Sequence, residues 1–403
     1  MDMGENFKVP ADEIERRKAK IQKELQVSGI GGLFIVQRVD LFYFSGTAQN
    51  GFLYMPAEGD PLLCIRKYTP RAREETPLKN LVEIKSIKEV PRLISDFYGR
   101  LPEVMGFELD VVPVMDFNFY SRLFHAQKCV DGSSLILKTR TIKSRWELDR
   151  MEKTAELSLK TFEYAKRAIQ PGISEIEFAG MIETFSRKMG HGAGLRVRDY
   201  QTEGYPWHIL SGKSGGMVGL LDSPSSGEGT SAAFPCGAGR KLLAKNEPIM
   251  IDFGTVLNGY HIDETRMFVI DSMPDRALNA CKAAIDIHDR ILERVKPGVT
   301  MAELFRHTTD LAASLGYAET FLGPPGYKVI FVGHGIGLEL IEPPFIANNR
   351  EEPLEPGMTI ALEPKIVFQD EFIAGIESVF QVTESGSRMI SKVPAEIFNC
   401  DSD

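Results

Sequence analysis

The stretch AKRAIQPGISEIEFAGMIETFSRKMG at 165–190 returns in its essentials as ILERVKPGVTMAELFRHTTDLAASLG at 291–316. In each copy a helical run stops before Pro-Gly (Pro171-Gly172, Pro297-Gly298). An S/T-x-x-E box follows, Ser174 with Glu177 and Thr300 with Glu303, in which the hydroxyl satisfies an orphan helix N–H and the glutamate reaches back. The second helix then ends at a glycine, Gly190 or Gly316. All of these features recur at one offset, 126 residues. A single shared Pro-Gly would mean little, but a shared cap, stop and spacing predict two related halves, each a helix pair followed by strands. A site between such halves can draw ligands from both.

The repeat leaves the first third of the chain outside it, and 403 residues exceed what one hydrophobic core usually serves. Two domains are therefore expected, in an α/β (α+β) chain. A charged helix over 11–28 carries Ile14, Ile21 and Leu25 on one stripe and stops at Gly29. Apolar runs at 31–36, 51–55, 61–65 and 81–87 predict strands, with helices near 88–99 and 113–127. The basic, polar stretch Lys138–Arg145 predicts the hinge. The expected division is 1–137 as the N-terminal domain, 138–145 as the linker and 146–403 as the repeated domain.

The net charge of −9 without a dense basic cluster argues against nucleic acid as a partner. No apolar run is long enough to span a bilayer and the first twenty residues lack a signal-like core, so no membrane partner and a cytoplasmic location are expected. Five scattered cysteines without CxxC spacing suggest neither a disulfide framework nor a thiolate zinc site.

Chemistry is suggested by acids in apolar strands. Asp252 follows the run Pro248–Ile251, and Asp263 lies eleven residues on, beyond an Asn258-Gly259 signal that folds the second strand back on the first. Glu363 sits in MTIALEPKIVF and Glu377 in FIAGIESVFQVTE. Buried carboxylates are costly unless paired or bound to cations. With His334, held among glycines in GHGIG, four carboxylates and an imidazole make a hard ligand set suited to two divalent ions of manganese, iron, cobalt or zinc. The glycines allow close backbone approach at that histidine.

In order, D252-F-G, GYHIDETR, GHGIGLE, LEP and IESVFQVTESG resemble the motifs of the creatinase, prolidase, aminopeptidase P and methionine aminopeptidase family. The resemblance covers roughly 140–403 and implies a pita-bread catalytic domain. More loosely, GLFIVQRVDLFYFSG is similar to the opening of the N-terminal domain of creatinase and prolidases. It further implies that Asp252 chelates one metal, Asp263 and Glu377 bridge both, and His334 and Glu363 hold the other. Glu363 would take the proton of the attacking water, Thr265 and Arg266 would orient Asp263 and its neighbours, and the protein would be a homodimer.

Three substrate-handling groups of the family's peptidases are missing. Ile341 stands where they carry a second histidine, seven residues after His334. No histidine lies between His208 and His261, where they have one in a loop. Gly375 replaces the arginine that Xaa-Pro enzymes tend to carry two residues before the last glutamate. His208, and His261 on the strand face of Asp263, are the candidate replacements; the Gly/Ser-rich SPSSGEGTSAAFP is either a lid, an oxyanion site or a plain loop. The leading expectation is a dinuclear metal-dependent hydrolase acting on an amide of a short peptide or small molecule. A creatinase-like C–N hydrolase or a lyase on the same fold is the alternative, and a non-catalytic binding protein a third.

Overall fold

The computed structural model describes residues 7–125, 128–198, 207–219 and 223–400. Among them no helix is long and apolar enough to cross a membrane. The chain forms two compact units, divided between Arg140 and Thr141, with Arg198 counting with the first. The segment expected to be a linker is largely helical: Ser133–Thr141 is a helix, and the next, Arg145–Ala168, begins after only three intervening residues. Ser144 caps that second helix, its side chain and that of Glu147 each bonding the other's backbone N–H.

The first unit holds a six-stranded mixed sheet in the spatial order Leu81–Ile84, Leu62–Arg66, Gly51–Pro56, Gly32–Ile35, Val104–Phe107, Lys128–Asp131. The helix Ala11–Val27 buries Ile14, Ile21 and Leu25, the predicted stripe. The helix expected over 113–127 runs from Val114 to Phe124, and 126 and 127 lie outside the described residues. A helix at Arg38–Ser45 and the strands Val104–Phe107 and Lys128–Asp131 were not foreseen.

In the second unit the repeat is visible bond by bond. Helices Arg145–Ala168 and Glu175–Lys188 precede strands Trp207–Ser211, Ile249–Leu257 and Tyr260–Ile270; helices Asp275–Arg294 and Met301–Ser314 precede strands Phe331–Gly335, Glu342–Ala347 and Thr359–Leu362. The N–H groups of Gly172, Glu175 and Ile176 bond the carbonyls of Leu243, Lys241 and Gly239. Those of Gly298, Met301 and Ala302 bond Leu354, Glu352 and Arg350 in the same way. Gly172 and Gly298 adopt φ of +90° and +88°, and Gly190 and Gly316 +101° and +87°. The caps differ in one respect: Thr300 and Glu303 form the full reciprocal box, whereas at Ser174 only the hydroxyl bond to the Glu177 N–H is present.

Candidate metal centre

The hairpin turn at Asn258-Gly259 has φ of +53° and +85° and sets Leu257 opposite Tyr260. From that register Thr265 lies opposite Asp252 and Gly254 opposite Asp263, which turns both carboxylates to one face. On the outer flank His208 lies opposite Asp252. On the inner flank Glu377 exchanges backbone bonds with Thr265, at 3.1 and 3.3 Å. His208, Asp252, Thr265 and Glu377 thus form one row across the unit, with Asp263 a step along it.

His334 comes from the other half, on a strand between Glu342–Ala347 and Thr359–Leu362. Its flanking glycines are required by contact: a methyl at Gly333 would stand 2.6 Å from the Ala361 carbonyl, and one at Gly335 2.3 Å from that of Pro343. Its Nδ1 lies 3.0 Å from the Gly335 carbonyl oxygen. An Nδ1–H donating there leaves Nε2 with a free lone pair, the tautomer a metal ligand needs. That Nε2 is 3.7 Å from Glu363 Oε1 and 3.8 Å from Glu377 Oε1.

Ligand atoms of Asp263, His334 and Glu377 all lie within 4.8 Å of one another. Glu377 Oε1 is buried and has no hydrogen-bond partner, a cost that a cation would remove. This oxygen-rich set with one imidazole fits a divalent cation.

Beside it is a residue that sequence reasoning missed. Lys365 begins the short strand Lys365–Phe368, is buried, and puts its Nζ 2.9 Å from Asp252 Oδ2, 2.8 Å from Glu363 Oε2 and 3.3 Å from Glu377 Oε2. Gly375 lies opposite it on the paired strand Phe372–Gly375, where a methyl would meet Lys365 Cγ at 2.7 Å. The glycine therefore makes room for the lysine stem. The missed signal was a lysine two residues beyond a buried glutamate, in LEPKIVF.

Charge in the site is unbalanced. Burial, and then the neighbouring carboxylates, push the Asp263 and Glu377 carboxyls well above the usual range. Burial acts on Asp252 in the same direction, but the Lys365 ammonium and His208 outweigh it and hold Asp252 below its ordinary value. Burial also opposes charge on Lys365, yet Asp252, Glu363 and Glu377 keep it protonated.

The remaining candidates sort by contact. His208 is largely buried, its Nδ1 3.9 Å from Asp252 Oδ2, beyond hydrogen-bond reach but beside the site. His261, a candidate replacement from the sequence, has both ring nitrogens against backbone groups. Its Nδ1 lies 3.1 Å from the Gly337 carbonyl oxygen and its Nε2 accepts the Arg196 N–H at 3.2 Å, so both nitrogens are taken by backbone. Thr265 and Arg266 hold Glu377, the neighbour of Asp263: the Thr265 hydroxyl donates to Glu377 Oε2 at 3.0 Å, and the guanidinium bonds the carbonyls of Glu377, Val393 and Pro394. Ile341 is half-buried just before the strand Glu342–Ala347. In the serine-rich loop, Ser225 is buried and donates to the Met217 carbonyl at 3.2 Å, a bond within the loop's own base.

Residues 149–384 match the model of metallopeptidase family M24, and residues 17–142 that of the creatinase/prolidase N-terminal domain. The Xaa-Pro dipeptidase of Pyrococcus furiosus is 26% identical over 392 residues, 95% of this chain and 100% of the relative. An uncharacterized peptidase of Bacillus subtilis is 25% identical over 373 residues, 92% and 96% of the two chains. Among solved structures, the Xaa-Pro dipeptidase from Bacillus anthracis aligns with a TM-score of 0.82 at 23% identity, covering 96% of this chain and 99% of that one. The prolidase from Pyrococcus horikoshii aligns at 0.78 and 22%, covering 94% and 98%. These structures share the fold of this chain.

Proposed function

The chain belongs to metallopeptidase family M24, and from that premise we propose that it is a metal-dependent hydrolase cleaving the amide bond of a short Xaa-Pro peptide. The observation that carries the reading is the meeting of Asp263, His334 and Glu377 from two halves of one repeat, with Glu363 at their side. The relatives named Xaa-Pro dipeptidase support the substrate class.

In this reading Asp263, His334 and Glu377 hold a divalent cation, with Glu363 adjoining. Such a cation supplies Lewis acidity toward a water and a carbonyl oxygen. Glu363 Oε1, which faces His334 while Oε2 is tied to Lys365, takes the proton from the attacking water and passes it to the departing amide nitrogen. Thr265 and Lys365 fix the rotamer of Glu377, and Lys365 also fixes Asp252 and Glu363. His208 donates a hydrogen bond to substrate from its position beside Asp252; burial lowers its pKa, so it does this as a neutral imidazole. The proposal includes a homodimeric, cytoplasmic enzyme using manganese, cobalt, iron or zinc, and places the chemistry in residues 146–403.

The test is mass spectrometry of a mixed library of Xaa-Pro and non-proline peptides incubated with Mn²⁺-loaded or Co²⁺-loaded protein. Cleavage at Xaa-Pro is expected, falling about 10²- to 10⁴-fold in Glu363→Ala. No cleavage of any peptide by metal-loaded protein would refute the peptide substrate. One observation favours a second reading, a non-peptide C–N substrate: the apolar Ile341 and the side-chain-free Gly375 stand where the resemblance places substrate-handling groups. Restoring turnover of an otherwise inert peptide by Ile341→His would tie that difference to position 341.

A further inference from the structure

We propose that the Lys365 ammonium takes the place of one of the two metal ions, so that the centre binds a single divalent cation, at Asp263, His334 and Glu377. This rests on the metal centre proposed above and concerns how many ions it holds.

An ammonium has three N–H donors and no acceptor, and here three carboxylate oxygens, from Asp252, Glu363 and Glu377, lie within 3.3 Å of Nζ. They come from three separate segments and surround the nitrogen much as ligands surround an ion. A second divalent cation would need to approach Asp252 and Glu377 to about 2.0–2.2 Å. It would then stand within a few ångströms of a fixed positive charge while competing for the same oxygens.

The opposite side of Glu377 is different. Its Oε1 has no hydrogen-bond partner and faces His334 Nε2, and the compact three-ligand set includes Asp263 but not Asp252. Glu377 thus offers one oxygen to the ammonium and the other to a cation. The lysine also has a built path: Gly375, opposite it in register, is the position where a Cβ would collide with its stem. Among the described residues, the salt-bridge partners of the ammonium are these three carboxylates.

The experiment is a metal count. The full-length protein is stripped with chelator, saturated with Mn²⁺ and desalted, and bound manganese per chain is measured by elemental analysis, with electron paramagnetic resonance of the same sample. One ion per chain and the six-line spectrum of isolated Mn²⁺ are expected. Asp252→Asn is expected to keep one ion, because that carboxylate serves the lysine. Lys365→Met is expected to rise to two ions with a spin-coupled spectrum. Two ions in the unmodified protein, falling to one in Asp252→Asn, would overturn this inference and leave the proposed function standing. No bound ion would overturn both. Should Lys365→Met fail to fold, the count in the unmodified protein and in Asp252→Asn decides alone.

Discussion

Thr265 shows how a residue outside the ligand set controls one inside it. Its hydroxyl holds Glu377 Oε2 at 3.0 Å, and its backbone pairs with the same glutamate. Thr265→Val keeps the shape and the backbone pairing but removes one of that oxygen's two hydrogen bonds, leaving the one from Lys365. We expect metal affinity to weaken about 10- to 100-fold, measured by calorimetric titration, with a stability loss of about 1 kcal/mol. Two buried histidines give a pH signature. His261 and His191 are each pushed down to about 4, chiefly by burial, and each accepts a backbone N–H on a ring nitrogen, from Arg196 and Val256. Unfolded, they titrate near 6.5. Below that value the unfolded chain binds protons that the folded chain refuses. Their contribution is therefore complete above about 6.5 and lost as pH falls toward about 4, with no further change from them below it. Denaturant titrations across that window are expected to show a shallower acid-side loss in His191→Asn, which keeps an acceptor for the Val256 N–H; an unchanged slope would remove the histidine from the account. At this scale the sequence was informative about the ligands, because an acid in an apolar strand demands a reason. It was uninformative about Lys365, because a lysine is ordinarily a surface residue and LEPKIVF marks this one as turned inward only by its spacing from Glu363.

Among the elements, the paired turns before the second helices carry the repeat. Gly172 and Gly298 are left-handed, and a Cβ on either would meet nothing within 4 Å. Alanine there is opposed by backbone conformation alone, at about 1–2 kcal/mol. Gly172→Ala and Gly298→Ala should therefore destabilise by nearly equal amounts in chemical denaturation, and their effects should add, since the turns share no partner in the bonds described. A large cost at one and none at the other would mean that the two turns are not structural equivalents. The Pro-Gly spacing made this equivalence readable in advance, whereas its backbone partners, Leu243 and Leu354, lie in unmarked loops. Elements that escaped were short. Val104–Phe107 and Lys128–Asp131 are four-residue strands completed by neighbours distant in sequence, and the helix Arg38–Ser45 buries six of its eight residues and so lacks an amphipathic period. The helix Ser133–Thr141 was hidden by its basic end, which resembled a linker.

For the whole molecule, the order of motifs carried more than any one of them. Asp252 and Asp263 come from one half of the repeat, His334, Glu363 and Glu377 from the other, and both halves must fold for the cluster to exist. What the order of motifs did not reveal was the charge balance between them, which depends on a side chain crossing from a paired strand. On the proposed function, hydrolysis depends on a cation held by this cluster. Chelated protein titrated with Mn²⁺, followed at each point for bound ion and for turnover of Xaa-Pro dipeptides, tests it most directly. Turnover is predicted to rise in step with occupancy, with Asp263→Asn losing both together. Dipeptide hydrolysis that persists in the fully chelated protein, or in an Asp263→Asn variant without bound metal, would contradict it.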